Sequence, residues 1–256
     1  MRRGREPLSA ARLAGWTAAL GLLLLVSLAL GLAFGAGDVS LRALFGGDPA
    51  ASEIDRAILF HVRLPRVLLA ALLGGALTTA GVAFQALLRN PLADPYVLGV
   101  SGGASIGGVI ALLIGLGGLG VPALAFAGAL GALWLIQWIA TVDGRLAVFT
   151  ILLTGAIFNA FSAALIYFIQ SLASLEELHA IVFCLMGRIP SLELGLQAPL
   201  ALVVVGVTAV LFALGRDFNA LTLGEEGAQQ VGVHVERVKR MTFILGSLLT
   251  LSLIHI

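Results

Sequence analysis

Between one charged residue and the next, the chain runs uncharged for 25 residues (13–37), 22 (67–88), 48 (95–142), 30 (146–175), 22 (194–215) and 16 (241–256). A helix crosses the hydrocarbon core of a bilayer with about 20 apolar residues, so each of the first five stretches can span a membrane. The 48-residue stretch has room for two crossings, with the glycine-rich run from Gly115 to Pro122 as the turn between them. The expected fold is all-α, a polytopic transmembrane bundle of six complete spans and part of a seventh. Composition agrees: 11% of the 256 residues are charged, against about 25% in soluble domains. The mean hydropathy is +1.06. A net charge of +1 offers nothing to nucleic acid.

Arg2, Arg3, Arg5 and Arg12 precede the first apolar run, as in a signal peptide. That run exceeds the roughly 7 to 15 residues of a signal core and ends in no small-residue cleavage site, so it reads as a retained first helix. An N-terminus on the cytoplasmic side puts ten basic residues inside, among them Arg89, Arg145, Arg216, Arg237, Lys239 and Arg240. Five then lie outside: Arg42, Arg56, Arg63, Arg66 and Arg188. The positive-inside rule favours this orientation.

Two segments between spans carry the capping-box pattern. Ser174-Leu-Glu-Glu177 stands before Leu178, Ile181, Val182, Leu185 and Met186, which predicts a short amphipathic helix on the outer side. Thr222-Leu-Gly-Glu225 predicts a second capped start, opening a polar inner segment through about Val238.

Chemistry-bearing patterns are few. Gly99-Val-Ser-Gly-Gly103 has the spacing of a serine nucleophile elbow. An intramembrane serine hydrolase using Ser101 is thus one alternative, but the serine opens a membrane helix and His61, His179, His234 and His255 are poorly placed to serve it. Gly115-x-Gly-x-x-Gly120 lacks the strand, helix and acid of a dinucleotide site and reads as a turn. Gly99, Gly103 and Gly107 recur every four residues, the small-residue pattern for close helix packing in membranes. The full-length spans hold no carboxylate, which argues against the other alternative, an ion-coupled secondary carrier. A pathway would be lined by uncharged polar groups such as Thr154, Asn159, Ser162, Tyr167 and Gln170, although Asn159 can equally bond a neighbouring helix. The lone cysteine, Cys184, reads as a packing residue. With Lys239 the only lysine, no phosphate-binding loop exists in the chain, so any ATP hydrolysis and its Mg belong to another subunit.

Several ordered motifs extend through most of the chain. They are Arg63-Leu-Pro-Arg66, Gln85-Ala-Leu-Leu-Arg-Asn-Pro-Leu-Ala-Asp-Pro95, Leu98-Gly-Val-Ser-Gly-Gly-Ala104, Leu153-Thr-Gly155 with Asn159, Leu185-Met-Gly187, and Leu223-Gly-Glu-Glu226 with Ala228, Val231-Gly-Val233 and Arg237. In these the chain closely resembles the FecCD-type permeases, the membrane subunits of type II ATP-binding-cassette importers for iron-siderophores, haem and vitamin B12. The resemblance implies a homodimer or heterodimer of permeases, two ATPase subunits, and a substrate-binding protein docking from outside. It assigns Arg63 and Arg66 to pairing with glutamates of the binding protein, where a guanidinium can grip a carboxylate at two points. Headgroup anchoring is the plainer role for both. It assigns Leu223, Gly224, Glu225, Glu226, Ala228, Gly232 and Arg237, within an inner loop at 216–240, to coupling with the ATPase. Asn90, Pro91 and Pro95 are expected to fix the turn between spans 2 and 3, and Arg89 to touch either the ATPase or lipid phosphates.

Permeases of this type usually have about ten spans, and this chain stops inside the seventh, so as it stands it is not expected to transport. Leu251-Ser-Leu-Ile-His-Ile256 is also what a transposon end used in sequencing adapters encodes. The permease domain is therefore expected to occupy 1–250, with 251–256 a non-native tail in which His255 has no role.

Overall fold

The computed structural model describes residues 9–35, 53–91, 93–142, 145–187, 189 and 192–254. Arg2, Arg3, Arg5, Arg42, Arg188 and His255 lie outside the described residues. The chain divides into two compact units, residues 1–71 with 191–197, and 72–190 with 198–256.

In the first unit, α1 (Ala10–Ala33) opens on Ser9, whose hydroxyl accepts the Arg12 amide N–H at 3.3 Å. None of its residues is buried, as suits a helix solvated by lipid. Thr17 and Ser27 donate their hydroxyls to the carbonyls of Leu13 and Leu23, one turn back, so neither meets hydrocarbon unsatisfied. Next come α2 (Glu53–Ile58), a π-helical turn at Leu59–Arg63, and the start of α3 (Leu64–Leu88). Pro65 has no amide N–H for the carbonyl one turn before it, and the helix is widened immediately ahead of it. One apolar helical segment thus runs over Asp55–Leu88. Arg63 and Arg66, expected on the outer side just ahead of the second apolar stretch, lie within this helical run.

In the second unit, α3 ends at Arg89, whose φ of 48° is left-handed. The Asn90 carbonyl accepts from Ala93 at 3.1 Å, and the Asp94 carboxylate accepts from the Tyr96 N–H at 2.8 Å. That bond caps a 3-10 turn at Pro95–Leu98, and Gly99, at φ 79°, turns the chain into α4 (Val100–Leu113). After Gly115 and Gly118, both at positive φ, α5 (Gly120–Ala140) follows with Pro122 in its first turn, where a missing N–H costs nothing. A two-residue ladder, β1 (Thr141–Val142) with β2 (Arg145–Leu146), leads into α6 (Val148–Leu172). Then come α7 (Leu175–Met186), α8 (Leu194–Ala213), α9 (Gly215–Leu221), α10 (Glu225–Gln230) and α11 (Val235–Ile254).

The all-α architecture holds, with five helices long and apolar enough to cross a membrane among the described residues. Of the six complete spans expected, α4 is shorter than the other five. Its 14 residues rise about 21 Å, short of a core about 30 Å thick. Tyr96 to Gly99 are taken up by the 3-10 turn and its glycine exit, which shortens the helix.

The core of this unit is built on glycine. A Cβ on Gly103 would stand 2.5 Å from the Gly128 carbonyl oxygen, and one on Gly107 would overlap the Leu124 carbonyl. In return, a Cβ on Gly128 would strike the Gly103 carbonyl, so α4 and α5 touch backbone to backbone. On α11, Gly246 leaves the space that the ring of Phe84 fills, and Phe243 meets that ring edge-on at 6.3 Å. The capping box on α7 forms as the sequence predicts: Ser174 Oγ accepts from the Glu177 N–H, and Glu177 Oε2 accepts from the Ser174 N–H at 2.8 Å. The Ser174 backbone N–H and, at 2.7 Å, its hydroxyl both donate to Glu177 Oε2 and hold the carboxyl below its usual pKa. Cys184 sets its sulfur over Gly108.

Candidate functional site

The expected inner loop at 216–240 is two short helices and the first turns of a third. Thr222 does not cap α10. Its hydroxyl donates to the Asn219 carbonyl at 2.6 Å and so finishes α9. The residue ahead of α10 is Gly224, at φ 100°, a conformation that turns the chain sharply and leaves no side chain to cap with. Glu225 and Glu226 occupy the first turn, where the helix dipole favours negative charge. At the other end, the Gly232 N–H bonds the Gln229 carbonyl and the Val233 N–H bonds the Ala228 carbonyl, both at 3.0 Å. This is the Schellman ending, which requires a left-handed residue, and Gly232 supplies it at φ 89°.

Ala228 is fully buried and pins α10 to the unit, while Leu223 and Val231 are 70% and 63% exposed at its two ends. Glu226, Gln229, Gln230, His234 and Arg237 are exposed beside them. The segment therefore presents a short rigid ridge with apolar ends and a charged flank. A recess opens next to it, lined by Gln229, Val233, His234, Val235, Glu236 and Arg237.

Glu225 turns inward instead. Its carboxylate lies 2.7 Å from Lys239 Nζ, and Lys239 is buried. Lys239 also reaches Glu236 Oε1 at 3.2 Å and the Leu146 carbonyl at 3.3 Å, while Glu236 Oε2 accepts the Leu146 N–H at 2.9 Å. Partial burial pushes the Glu236 carboxyl up, but the Leu146 N–H with Lys239 and Arg240 more than offsets this, so it stays below its usual pKa. Sequence reasoning missed this cluster. The available signal was a lone lysine one helical turn after an acid.

Around α4 and α6, the polar residues expected to line a pathway separate. Asn159 donates to the Tyr96 carbonyl at 2.7 Å, and its buried Oδ1 has no partner among the described residues. Ser162 is buried and donates to the Phe158 carbonyl. A Cβ on Gly102 would stand 2.7 Å from both Asn159 Oδ1 and Ser162 Oγ, so these two side chains lie against α4 at a helix junction. Tyr167 is 70% exposed and Thr154 half-buried on other parts of the helix. Gly99 takes its left-handed φ where a Cβ would meet Ile136 at 2.5 Å. Ser101 donates to the Tyr96 carbonyl, not to a histidine.

In the first unit, Arg63 is buried and donates to the carbonyls of Leu32 and Ala33 at 3.0 and 3.2 Å. Its guanidinium closes the C-terminus of α1, where cations are favoured. Arg66 is exposed.

The description of the FecCD transport family matches residues 21–256. The chain belongs to the FecCD transport family. It is 38% identical to the uncharacterized ABC transporter permease protein YvrB of Bacillus subtilis strain 168, over 91% of this chain and 70% of that one. It is also 38% identical to the cobalamin import system permease protein BtuC of Halobacterium salinarum, over 77% of this chain and 54% of that relative. A solved inward-facing structure, assigned to a metal-chelate type ABC transporter, superposes with a TM-score of 0.76 at 26% identity, covering 93% of this chain and 73% of the other. This FecCD permease is a transport subunit, not a catalytic enzyme, and a multi-pass protein of the inner membrane.

Proposed function

We propose that this FecCD permease forms the membrane pathway of an ABC importer for a metal chelate of the cobalamin, haem or siderophore type. A separate ATPase drives it, a substrate-binding protein feeds it, and a second permease subunit completes the pathway. The N-terminus and the ridge at α10 face the cytoplasm, as the distribution of basic residues favours. The observation that carries this reading is the ridge itself. A capped, rigid element with exposed Leu223, Glu226, Val231 and Arg237 suits a cleft on a partner and can convert partner closure into helix tilt, which a slack loop cannot. Arg66 supplies an exposed guanidinium for docking, and Arg63 supports it by fixing the end of α1. ATP and Mg act in the ATPase.

The test is uptake by the full-length permease reconstituted in liposomes with its ATPase and binding protein. Radiolabelled cyanocobalamin, haemin and a ferric hydroxamate are each offered. ATP-dependent, vanadate-sensitive accumulation of one of them is expected. Uptake that survives ATP depletion and collapses with an ion gradient would replace this reading with a secondary carrier.

A further inference from the structure

Lys239 is the only lysine in the chain and is 4% exposed. Its ammonium has three N–H donors and meets three acceptors, Glu225 Oε2, Glu236 Oε1 and the Leu146 carbonyl. Glu236 also takes the Leu146 N–H, so both backbone polar groups of Leu146 are held by side chains from the start of α11. Leu146 pairs with Thr141 across the β1–β2 hairpin and stands two residues before α6 begins. Three separate elements therefore end on one cation: the hairpin between α5 and α6, distant in sequence, and the neighbouring first turn of α10 and first turns of α11.

Packing alone does not call for this arrangement. Apolar residues of similar volume commonly replace a buried ion cluster at no cost in stability, whereas a cluster whose members sit on separate elements fixes their register. Ala228 holds α10 from beneath, and Glu225 is the residue by which α10 reaches Lys239, whose ammonium also bonds the Leu146 carbonyl of the hairpin.

We propose that Lys239 is a positioning residue of the transport cycle, a strut that passes displacement of α10 to the hairpin and so to the base of α6. Without it, α10 moves against a slack hairpin and the ATPase cycle loses its purchase on α6. This rests on the reading that α10 meets an ATPase.

The experiment measures ATP hydrolysis and uptake in the same liposomes, with the three probes named above, for the wild-type importer and for Lys239→Met, Lys239→Arg and Glu225→Gln. Lys239→Met should keep hydrolysing ATP while uptake per ATP falls on the order of tenfold, and Glu225→Gln should lose about threefold. Lys239→Arg, which keeps the charge, should recover part of the ratio. Wild-type uptake per ATP in Lys239→Met overturns the proposal. If Lys239→Met does not assemble, an unchanged ratio in Glu225→Gln overturns it. Should the wild type show no ATP-driven uptake, the proposed function fails instead. Hydrogen exchange on the permease alone then tests the strut: Lys239→Met must speed exchange at the Leu146 amide and the first turn of α6 but not in α4, and unchanged exchange there overturns it.

Discussion

Two apolar helices of this FecCD permease, α1 and α4, reach stability by opposite routes. α1 has 24 residues and buries none of them, whereas α4 has 14 and buries seven, three of those seven being glycines. The first is long enough to be held by lipid alone, and its sequence has only to be apolar and closed at its ends. The second is too short for that and is held by contact, so its sequence is constrained atom by atom. Apolar content identifies both as membrane helices, and only the small residues distinguish them.

The contrast is broken most sharply by filling the α4–α5 contact. Gly107→Leu would drive a side chain into the Leu124 backbone, which cannot yield as a side-chain end can. Overpacking of this kind costs about 3 kcal/mol or more, and thermal unfolding in detergent should show loss of the folded permease. Arg63→Ala leaves the last carbonyls of α1 without their donor and should cost about 2 kcal/mol, read as faster hydrogen exchange confined to the C-terminal turns of α1. Gly102→Ala meets the movable side chains of Asn159 and Ser162 and should cost about 1 kcal/mol by the same melting assay.

Smaller effects belong to exposed positions. The folded pKa of Glu177 lies below its unfolded one, so its contribution to α7 is present above the ordinary carboxylate range and is lost as pH falls through the lowered value. Hydrogen exchange in the first turn of α7 should quicken there, and Ser174→Ala, which removes the hydroxyl donor but keeps the backbone N–H, should weaken that dependence. Gly21→Leu on α1 has open space around the new Cβ and should change stability by no more than about 0.5 kcal/mol. A large loss there would mean that α1 is packed, and the contrast with α4 would fall.

The spacing of charges revealed most of the fold, because a membrane helix declares itself within its own residues. The capping box at Ser174 and the turn from Asn90 to Pro95 were legible for the same reason, since each is made by near neighbours. Thr222 misled because Gly224 takes a positive φ that no pattern of capping residues announces. In sequence, Asn159 is open to two readings, pathway or helix contact, and Ser162 is grouped with it, because a membrane helix is apolar towards lipid and core alike and periodicity does not say which side faces inward. Arg63 lies some 30 residues from the carbonyls it closes, and Lys239 lies 93 from Leu146. Such pairings depend on how helices are brought together, which local sequence does not record.

The hydroxyl groups of the spans carry a consequence for biogenesis. Thr17, Ser27, Thr78, Thr79 and Ser162 each donate within their own helix, so these helices can enter the bilayer with those donors already engaged. Asn159 differs, because its amide finds the Tyr96 carbonyl only when α6 meets the turn before α4. Insertion and assembly are thereby separable steps for most of this chain, and α6 is the helix that remains a poor guest of the lipid until its neighbours arrive.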